Sequence, residues 1–282
     1  MSKYSLGDIK GKVVVLTGGG GVIGGALAMG LADAGAKIAV VDFNKENAQK
    51  VADQVNAEYP GSTIAVFGNV LDKEALIAAK KEINEKLGKT DVLINGAGGN
   101  APTATTQLEF LSEENVGELS KGFFGLDLDG FRRVFDLNFL GTVLPTMVFT
   151  EDMIGNGGNI INISSMNSYR PLTKIPAYSA AKAGINNLTE WLAVHFAKLN
   201  IRVNAIAPGF FVTDQNRFLL FDKETKELSA RGHKIINGTP MGRFGEPEEL
   251  IGTLLFLISD LAKFVTGVVV PIDGGFNAYS GV

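Results

Sequence analysis

The stretch Thr17–Gly25, TGGGGVIGG, decides the fold of this 282-residue chain. Six of its nine residues are glycine, and it follows the apolar run Val13–Leu16 directly. A buried strand that ends in a glycine-rich turn and leads into a helical pattern is typical of a βα unit that binds phosphate. The stretch therefore predicts a strand, a tight turn and a helix whose N-terminus faces a dinucleotide.

Two registers fit this turn. Gly19, Gly21 and Gly24 match the pattern G-x-G-x-x-G. Alternatively, Gly18 and Gly24 match T-G-x-x-x-G-x-G, with Val22 in place of the middle glycine. The two registers assign different glycines to the close approach of the backbone to the phosphates.

Short apolar runs rich in Val and Ile recur along the chain with little alternation, as expected for parallel strands buried on both faces. Helical patterns with capping residues separate them. We predict strands at Lys12–Thr17, Lys37–Asp42, Thr63–Phe67, Val92–Asn95, Asn159–Ser164, Arg202–Ile206 and Val268–Ile272. We predict helices at Ile23–Ala34, Lys45–Tyr59, Asp72–Leu87, Gly130–Asp152, Pro176–Leu199 and Pro247–Ser259.

This alternation predicts the fold class α/β, a Rossmann-type doubly wound sheet of about seven parallel strands with helices on both faces. Residues 1–282 contain no repeat and no linker, so we expect a single domain. Two long segments, 99–129 and 208–245, interrupt the alternation. Because ligands lie beyond the carboxyl ends of the strands in such sheets, we expect both segments to be substrate loops.

The composition argues against several classes of protein. A net charge of −4 gives no basic surface for nucleic acid. The chain has no cysteine and only two histidines, His195 and His233, so we expect no disulfide, no thiolate chemistry and no metal site. There is no apolar leader and no apolar run long enough to span a membrane. We therefore expect a soluble cytoplasmic protein with no membrane partner.

The second predicted strand ends in an acidic residue, Asp42, which stands 18 residues after Gly24 in the segment IAVVDFN. An acid at this spacing accepts hydrogen bonds from both ribose hydroxyls of an adenosine and repels a 2′-phosphate. A tight structural turn followed by a solvated acid is the simpler alternative. The spacing favours binding and predicts NAD, rather than NADP, as the cofactor.

Tyr178 and Lys182, in the segment YSAAK, share one face of a predicted helix because four residues separate them. A free tyrosine has a pKa of about 10 and is a poor base near neutrality. A lysine ammonium at about 4 Å stabilises the phenolate by about 4 kcal/mol at an effective dielectric constant of about 20, equal to roughly three pKa units. We expect Lys182 to lower the pKa of Tyr178 so that Tyr178 acts as a general acid/base. Taken alone, the spacing is common and favours an ordinary surface pair of tyrosine and lysine.

Further motifs accompany YSAAK in a fixed order along the chain. With them the sequence resembles the short-chain dehydrogenase/reductase family over nearly its whole length, which implies alcohol–ketone interconversion. The motifs are TGGGGVIG at 17–24, NGAG at 95–98, Asn138 in FDLNFLG, Ser165 in INISS, the pair Pro208-Gly209, and Thr213.

The resemblance implies a role for each catalytic residue. Tyr178 is the acid/base, and Lys182 lowers its pKa and binds the nicotinamide ribose. Ser165 polarises the substrate carbonyl, and Asn138 holds a water in a proton relay. Ser165 is chosen over Ser164 because it lies 13 residues before Tyr178, the family's usual spacing. Hydride transfer to a carbonyl creates an alkoxide, which needs the hydrogen-bond donor and the proton that these roles supply.

The resemblance also selects the register Thr17-Gly18…Gly24. Val22 then replaces a family glycine, and we expect Gly20 and Gly21 to take the unusual dihedral angles so that Val22 avoids a positive φ. We expect the phosphates to bind amides at the N-terminus of the following helix. The implied NAD-binding set is Gly18, Gly21, Val22, Ile23, Asp42, Asn69, Val70, Asn95, Ala97, Gly98, Tyr178, Lys182, Pro208, Gly209 and Thr213.

Other departures from the family pattern are local. Gly96 replaces the second asparagine of N-N-A-G, so its hydrogen bond is missing or supplied elsewhere. Asn69 replaces an aspartate beside the adenine and keeps an acceptor. The segment between NGAG and Asn138 is longer than is usual in the family.

Within the family the chain most resembles the D-mannonate oxidoreductases (fructuronate reductases), which implies interconversion of D-mannonate and D-fructuronate. A sugar acid needs a cation for its carboxylate and polar groups for its hydroxyls. We expect Arg170 or Arg217 to anchor the carboxylate, and Ser165, Asn167 and Asn216 to contact substrate oxygens. The segments that carry this resemblance are LDLDGFRRVFDLNFLGT, ISSMNSYRPLTKIPAYSAAK, APGFFVTDQNRFLL and DGGFNAYSGV.

Two alternatives stay open. One is an NAD-dependent dehydrogenase of another sugar acid or polyol, of the gluconate or keto-deoxy-gluconate type. The other is a dinucleotide-sensing protein without activity, which the presence of Tyr178 and Lys182 disfavours. The resemblance further implies a homotetramer built on the helices predicted at Gly130–Asp152 and Pro176–Leu199.

Overall fold

The computed structural model describes residues 7–213, 217–222 and 224–281. Its strands are β1 (Val13–Thr17), β2 (Lys37–Asp42), β3 (Thr63–Phe67), β4 (Val92–Asn95), β5 (Gly158–Ile163), β6 (Ile201–Pro208) and β7 (Val269–Ile272). They form one parallel sheet in the order β3-β2-β1-β4-β5-β6-β7. The predicted doubly wound α/β fold is confirmed, and the predicted strands differ from the observed ones only by a residue or two at their ends.

Helices cover both faces of this sheet. Two of them begin at side-chain caps: Asn44 accepts hydrogen bonds from the amides of Glu46 and Asn47, and Asp72 likewise caps the next helix. The α-helices of the described ranges are α1 (Val22–Asp33), α2 (Lys45–Glu58), α3 (Lys73–Lys86), α4 (Leu128–Phe135), α5 (Gly141–Phe149), α6 (Pro176–Phe196), α7 (Arg217–Leu220), α8 (Ala230–Asn237) and α9 (Ile251–Ile258). Within those ranges no helix combines the length and the apolar character needed to cross a membrane.

Alternate residues of each strand face different helices, so the sheet has two apolar layers. Leu16 and Val40 pack with α1, α2 and α9, whereas Val15 and Val41 pack with α3, α5 and α6. Each of these four side chains is at most 1% exposed. Burial on both faces explains why the strands are continuous apolar runs in the sequence.

The chain is helical throughout the predicted helix Gly130–Asp152, but it is not α-helical along its whole length. It consists of α4, a π-helical turn at Asp136–Leu140, α5, and a 3₁₀ turn at Thr150–Met153. Pro145 lies inside α5 and has no N–H to donate to the carbonyl of Gly141, four residues earlier, so α5 lacks one backbone hydrogen bond there. The π turn contains Asn138, and such turns frequently occur at functional residues.

The two predicted loop segments contact each other. In segment 99–129, the Thr106 amide donates to the carbonyl of Lys174 over 2.9 Å, just before α6. Glu109 of the same segment forms an ion pair with Lys234 of α8. Segment 208–245 is not only loop, because its described part contains α7 and α8, which were not predicted.

The glycine turn after β1 favours the register that begins at Gly18. Gly18 has a φ of +65°, and a Cβ there would lie 2.6 Å from the Cα of Ala97. A Cβ at Gly24 would lie 2.7 Å from the Cα of Gly19. At Gly21 the nearest atom would be at 3.6 Å, an ordinary contact. Glycine is thus sterically required at Gly18 and Gly24, the first and last glycines of T-G-x-x-x-G-x-G.

The expected dihedral angles are only partly correct. Val22 begins α1 without a positive φ, as predicted. The expectation that Gly20 and Gly21 take the unusual angles is wrong, since neither has a positive φ and Gly21 has a φ of −84°. Gly18 takes the left-handed conformation instead, one residue after β1, where the chain turns away from the sheet.

A ladder of buried polar side chains joins the middle of the sheet to α5 and α6. The Asn95 Nδ2 donates to the Thr146 Oγ1 at 3.0 Å and to the Asn162 Oδ1 at 2.9 Å. The Asn162 Nδ2 in turn donates to the Thr189 Oγ1 at 2.9 Å. All four side chains are at most 3% exposed. Buried polar groups are costly without partners, so the ladder fixes how both helices sit on β4 and β5.

We expect Asn162→Ala to lower the free energy of unfolding by about 1–3 kcal/mol, because it removes one acceptor of the buried Asn95 amide and the amide that donates to the buried Thr189 hydroxyl. Urea denaturation followed by circular dichroism measures this change. The exposed Asn156→Ala is the matched control, for which we expect a change within about 0.5 kcal/mol. Equal unfolding free energies for the two variants would contradict a stabilising role of the ladder.

Candidate active site

The predicted catalytic residues meet at the carboxyl edge of the sheet. Ser165 stands two residues after β5 and begins a 3₁₀ turn at Met166–Ser168. Tyr178 lies in the first turn of α6, which begins at Pro176, a residue favoured at the first helical position. The Tyr178 hydroxyl is hydrogen-bonded to Ser165. The pair can therefore present a hydroxyl donor and a phenol to one reacting atom.

Lys182 lies one helical turn after Tyr178 and is only 3% exposed. Its Nζ donates to the carbonyl of Ile163, the last residue of β5, over 2.7 Å, and lies 5.6 Å from the centroid of the Tyr178 ring. Burial lowers the pKa of Lys182 to about 8. The ammonium is thus held beside the phenol by a backbone acceptor.

The expectation that Lys182 lowers the pKa of Tyr178 is wrong for this structure. Burial raises the pKa of Tyr178 above its ordinary value, and the hydrogen bond to Ser165 acts in the opposite direction. The Lys182 ammonium bonds to the Ile163 carbonyl, with its Nζ 5.6 Å from the centroid of the Tyr178 ring, and the loss of solvent around the phenol outweighs its effect. Tyr178 is therefore a neutral phenol near neutral pH.

Asn138 is fully buried in the π turn and holds the segment after β4. Its Nδ2 donates to the carbonyls of Gly99 and Val134, both at 2.7 Å, and its Oδ1 accepts from the Gly99 amide at 3.2 Å. These bonds occupy the side chain that the sequence assigns to a water relay. A Cβ at Gly98 would lie 2.6 Å from the Asn138 Oδ1 and 3.3 Å from the Lys182 Nζ, so glycine keeps this region open.

The residues at the ends of β1 and β2 fit a dinucleotide. Gly21, at the N-cap of α1, carries no side-chain cap, so the unpaired amides of the first turn, which begins Val22-Ile23, are available to an anion. Asp42 Oδ2 accepts from the Gly20 amide at 3.0 Å, and Oδ1 accepts from the Asn44 amide at 2.8 Å. Each carboxylate oxygen keeps a second lone pair for a ribose hydroxyl.

Among the other residues predicted to bind NAD, Asn69 and Val70 follow β3, and Asn95 ends β4. The Oδ1 of Asn69 accepts from the Leu71 amide at 3.0 Å and keeps a second lone pair for the adenine. Val70 is 7% exposed, and the Asn95 side chain points into the polar ladder beneath the site. Only the backbone of Asn95 reaches the edge of the sheet.

Thr17 supplies the hydrogen bond that Gly96 lacks. The Thr17 Oγ1 accepts from the amides of Gly96 at 3.2 Å and Ala97 at 3.4 Å. A Cβ at Gly96 would lie 2.7 Å from the Thr17 carbonyl oxygen, so an asparagine would not fit without movement. The sequence analysis missed this role of Thr17, and no motif signals it.

The segment after β6 contains Pro208, Gly209 and Thr213. The Gly209 amide donates to the Ile272 carbonyl at 2.9 Å, and a Cβ at Gly209 would meet the Cα of Asp273 at 2.6 Å. The Thr213 carbonyl accepts from the amide of Arg217, which starts α7. These contacts hold the beginning of the second loop at the edge of the sheet.

The predicted substrate residues are divided between buried and exposed positions. Asn167 is 6% exposed, and its Oδ1 has no hydrogen-bond partner in the described chain. Arg170 is exposed, and Arg217 lies with its guanidinium 5.8 Å from the centroid of the Phe221 ring. Asn216 lies outside the described residues. Among those that are described, no group of three His, Asp or Glu residues could hold a metal ion.

The family model described as enoyl-(acyl carrier protein) reductase matches residues 20–277. An oxidoreductase of Haemophilus influenzae, itself uncharacterised, is 53% identical over 277 residues, which are 98% of this chain and 96% of that protein. The chain therefore belongs to the short-chain dehydrogenase/reductase family, and it is an oxidoreductase.

Two named relatives are similar along nearly their whole length. A solved structure from Haemophilus influenzae, provisionally described as a D-mannonate oxidoreductase with bound NAD, has a TM-score of 0.91 and 53% identity over 97% of each chain. A 2-dehydro-3-deoxy-D-gluconate 5-dehydrogenase of Formosa agariphila is 34% identical over 282 residues, covering 97% of this chain and 96% of that protein.

The buried Lys182 makes a testable prediction for stability. Its pKa is about 8 in the folded chain and higher in the unfolded chain, so between these values the unfolded state binds a proton that the folded state does not. Raising the pH through this window therefore stabilises the fold. Relative to Lys182→Met, we expect the wild type to gain up to about 3 kcal/mol between about pH 8 and pH 10.5.

Urea denaturation of both proteins across that pH range measures the difference. The exposed Lys198→Met serves as the control and should run parallel to the wild type. If Lys182→Met also runs parallel to the wild type, the ammonium is not desolvated in the fold.

Proposed function

We propose that the chain catalyses the reversible interconversion of D-mannonate and D-fructuronate with NAD. The observation that carries the reaction type is the Ser165–Tyr178 hydrogen bond beside the buried ammonium of Lys182. The similarity to the NAD-containing structure supports the choice of substrate and cofactor.

In this proposal Ser165 and Tyr178 act on the same substrate oxygen. NAD, when bound, supplies the hydride acceptor or donor. The Ser165 Oγ accepts from the Asn167 amide at 3.2 Å, which leaves its proton for the substrate oxygen. Tyr178 gives its proton to the developing alkoxide in reduction and removes the alcohol proton in oxidation. Its raised pKa suits the first of these roles at neutral pH.

Lys182 provides a fixed positive charge where the phenolate forms. Because the site is buried, that charge acts with less screening than it would in water. The Ile163 carbonyl, which accepts from the Lys182 Nζ, prevents the side chain from turning away. Lys182 therefore stabilises the transition state, even though burial keeps the pKa of the resting phenol above its ordinary value.

Asp42 supports NAD over NADP. Its carboxylate is held at the end of β2 by the amides of Gly20 and Asn44. Two hydroxyls of an unmodified ribose can donate to it, whereas a 2′-phosphate would bring like charges together. The Gly18 and Gly24 positions, where a Cβ would meet backbone, leave room for the pyrophosphate beside α1.

A second substrate has support of its own. The 34% identical relative acts, by its name, on 2-dehydro-3-deoxy-D-gluconate, which like fructuronate is a keto acid. Both substrates need a ketone site at Ser165 and Tyr178, a cation for the carboxylate and acceptors for hydroxyls. The unpartnered Oδ1 of Asn167 could accept from one such hydroxyl.

An NADH oxidation assay with D-fructuronate, 5-ketogluconate and a neutral ketose tests the proposal. The second substrate is tested in the other direction, by following the reduction of NAD with 2-keto-3-deoxygluconate, whose C5 hydroxyl a 5-dehydrogenase oxidises. We expect the highest kcat/KM with D-fructuronate. Tyr178→Phe should lower kcat by about 10²–10⁴-fold, because the proton donor is removed, and should leave NADH affinity unchanged. Tyr59→Phe is the control, since the Tyr59 hydroxyl bonds to Asp33 at the surface. Tight NADH binding without turnover of any carbonyl would refute an enzymatic function.

We further propose that Arg170 or Arg217 anchors the substrate carboxylate. Replacing the anchoring arginine with alanine should raise the KM for D-fructuronate by about 10- to 100-fold, which corresponds to the loss of a charge-assisted hydrogen bond. The KM for a neutral ketose should not change. Arg132→Ala, which removes an exposed partner of Asp129, is the control. Unchanged KM values in both variants would assign the carboxylate to another cation.

The proposed homotetramer has support from exposed apolar side chains on two helices. Met147 of α5 is 62% exposed, and Trp191 and Val194 of α6 are 57% and 81% exposed. Exposed apolar residues of this size, grouped on neighbouring helices, are typical of subunit contacts.

A further inference from the structure

A chain of hydrogen bonds joins the middle of α6 to the turn that carries Ser165. The Ser164 Oγ donates to the Asn186 Oδ1 at 2.5 Å. The Asn186 Nδ2 donates to the Ser168 Oγ at 2.8 Å. The Ser168 Oγ donates to the backbone carbonyl of Ser165 at 2.5 Å. The Asn186 side chain thus links Ser164 to Ser168, and Ser168 holds the backbone carbonyl of Ser165.

Asn186 lies on the helical face that carries the proposed catalytic pair. Tyr178, Lys182 and Asn186 follow each other at intervals of four residues, so they form one row along α6. Lys182 already bonds to Ile163 at the end of β5, and the Ser164 Oγ also lies 3.4 Å from the Lys182 carbonyl. The row therefore contacts the end of β5 and the turn after it at successive points.

These bonds fix the separation of Ser165 from Tyr178. The carbonyl of Ser165 is held through Ser168 and Asn186 by the helix that bears Tyr178, not by the sheet. The other tether of the turn runs from the Tyr169 hydroxyl to the Val269 carbonyl of β7, and so holds the far end of the turn. Without Asn186, the turn keeps its tether to the sheet and loses its tether to α6.

We infer that Asn186 is a positioning residue, which sets the Ser165 hydroxyl within hydrogen-bond distance of Tyr178 through Ser168. The inference rests on the proposed roles of Ser165 and Tyr178, and not on the identity of the substrate. Displacing a reacting group by about 1 Å can lower a rate by about 100-fold, so a tether of this kind matters for catalysis even where it adds little to stability.

The chain offers a matched control in the next residue. Asn187 has the same side chain on the same helix but is exposed, turned by about 100° from Asn186. Asn187→Ala therefore reproduces the loss of an asparagine from α6 without breaking the network. Ser168→Ala is a second test, because it removes the bond to the Ser165 carbonyl and leaves the Ser164–Asn186 bond in place.

The experiment compares Asn186→Ala, Ser168→Ala and Asn187→Ala with the wild type, and with Ser165→Ala as the reference for complete loss of the serine. Steady-state kinetics use NADH with D-fructuronate, or with whichever keto acid of the substrate screen is reduced. We expect Asn186→Ala and Ser168→Ala to lower kcat by about 10- to 100-fold with unchanged NADH affinity, and Asn187→Ala to match the wild type.

A second readout needs no substrate. Ultraviolet absorbance titration, referenced to Tyr178→Phe, follows ionisation of the Tyr178 phenol. The hydrogen bond from Ser165 lowers the pKa of Tyr178, so its loss in Asn186→Ala should raise that pKa, as in Ser165→Ala. A merely structural substitution has no reason to move this pKa towards the value of the serine variant.

The outcomes distinguish a wrong role for Ser165 from a wrong role for Asn186. If Ser165→Ala keeps full activity and an unchanged Tyr178 pKa, the proposed role of Ser165 is wrong. If Ser165→Ala is impaired but Asn186→Ala behaves like Asn187→Ala in both readouts, the positioning role of Asn186 is wrong. An equal fall of kcat and NADH affinity in Asn186→Ala, with a lower melting temperature and a normal Ser168→Ala, would likewise overturn it.

Discussion

The burial of the Lys182 ammonium is the constraint on which the site depends. A charged group in the interior is costly, and here the carbonyl of Ile163 compensates part of that cost at 2.7 Å. Since Ile163 ends β5 and Lys182 belongs to α6, the same bond ties the helix to the edge of the sheet. It thereby sets Tyr178, one turn earlier, beside Ser165, two residues beyond the strand. In the proposed mechanism this charge stabilises the phenolate as it forms, which gives the unfavourable buried group a function.

The cofactor side depends on a different constraint, the close approach of backbone to backbone between the ends of β1 and β4. A Cβ at Gly18 would meet Ala97, and one at Gly96 would meet the carbonyl of Thr17. These contacts occur where the strand order reverses, so the crevice of the doubly wound sheet lies between them. Val22 is tolerated because the left-handed conformation is needed at Gly18, and Val22 itself is already helical.

The features that could be predicted from the sequence are those that depend on the pattern of a few neighbouring residues. The strands, the acid at Asp42 and the shared face of Tyr178 and Lys182 follow from burial and periodicity over a few residues. The predicted direction of the Tyr178 pKa shift was wrong because desolvation depends on the whole fold. The prediction considered only nearby charge in a uniform medium. The π turn that contains Asn138 was not predicted because the apolar pattern continues through it and the chain stays helical on both sides.

The hydrogen-bond acceptors of the site residues explain why the geometry of such a site does not identify its substrate. Lys182 bonds to the Ile163 carbonyl, Asn138 to the Gly99 carbonyl, and Ser168 to the Ser165 carbonyl. Every acceptor is a backbone group, which any amino acid at that position would supply. The catalytic geometry can therefore persist while the residues around it vary, and one site can serve many alcohols and ketones. Selectivity must then come from segments outside this frame. The predicted substrate loops 99–129 and 208–245 lie outside this frame and contact each other through Glu109 and Lys234.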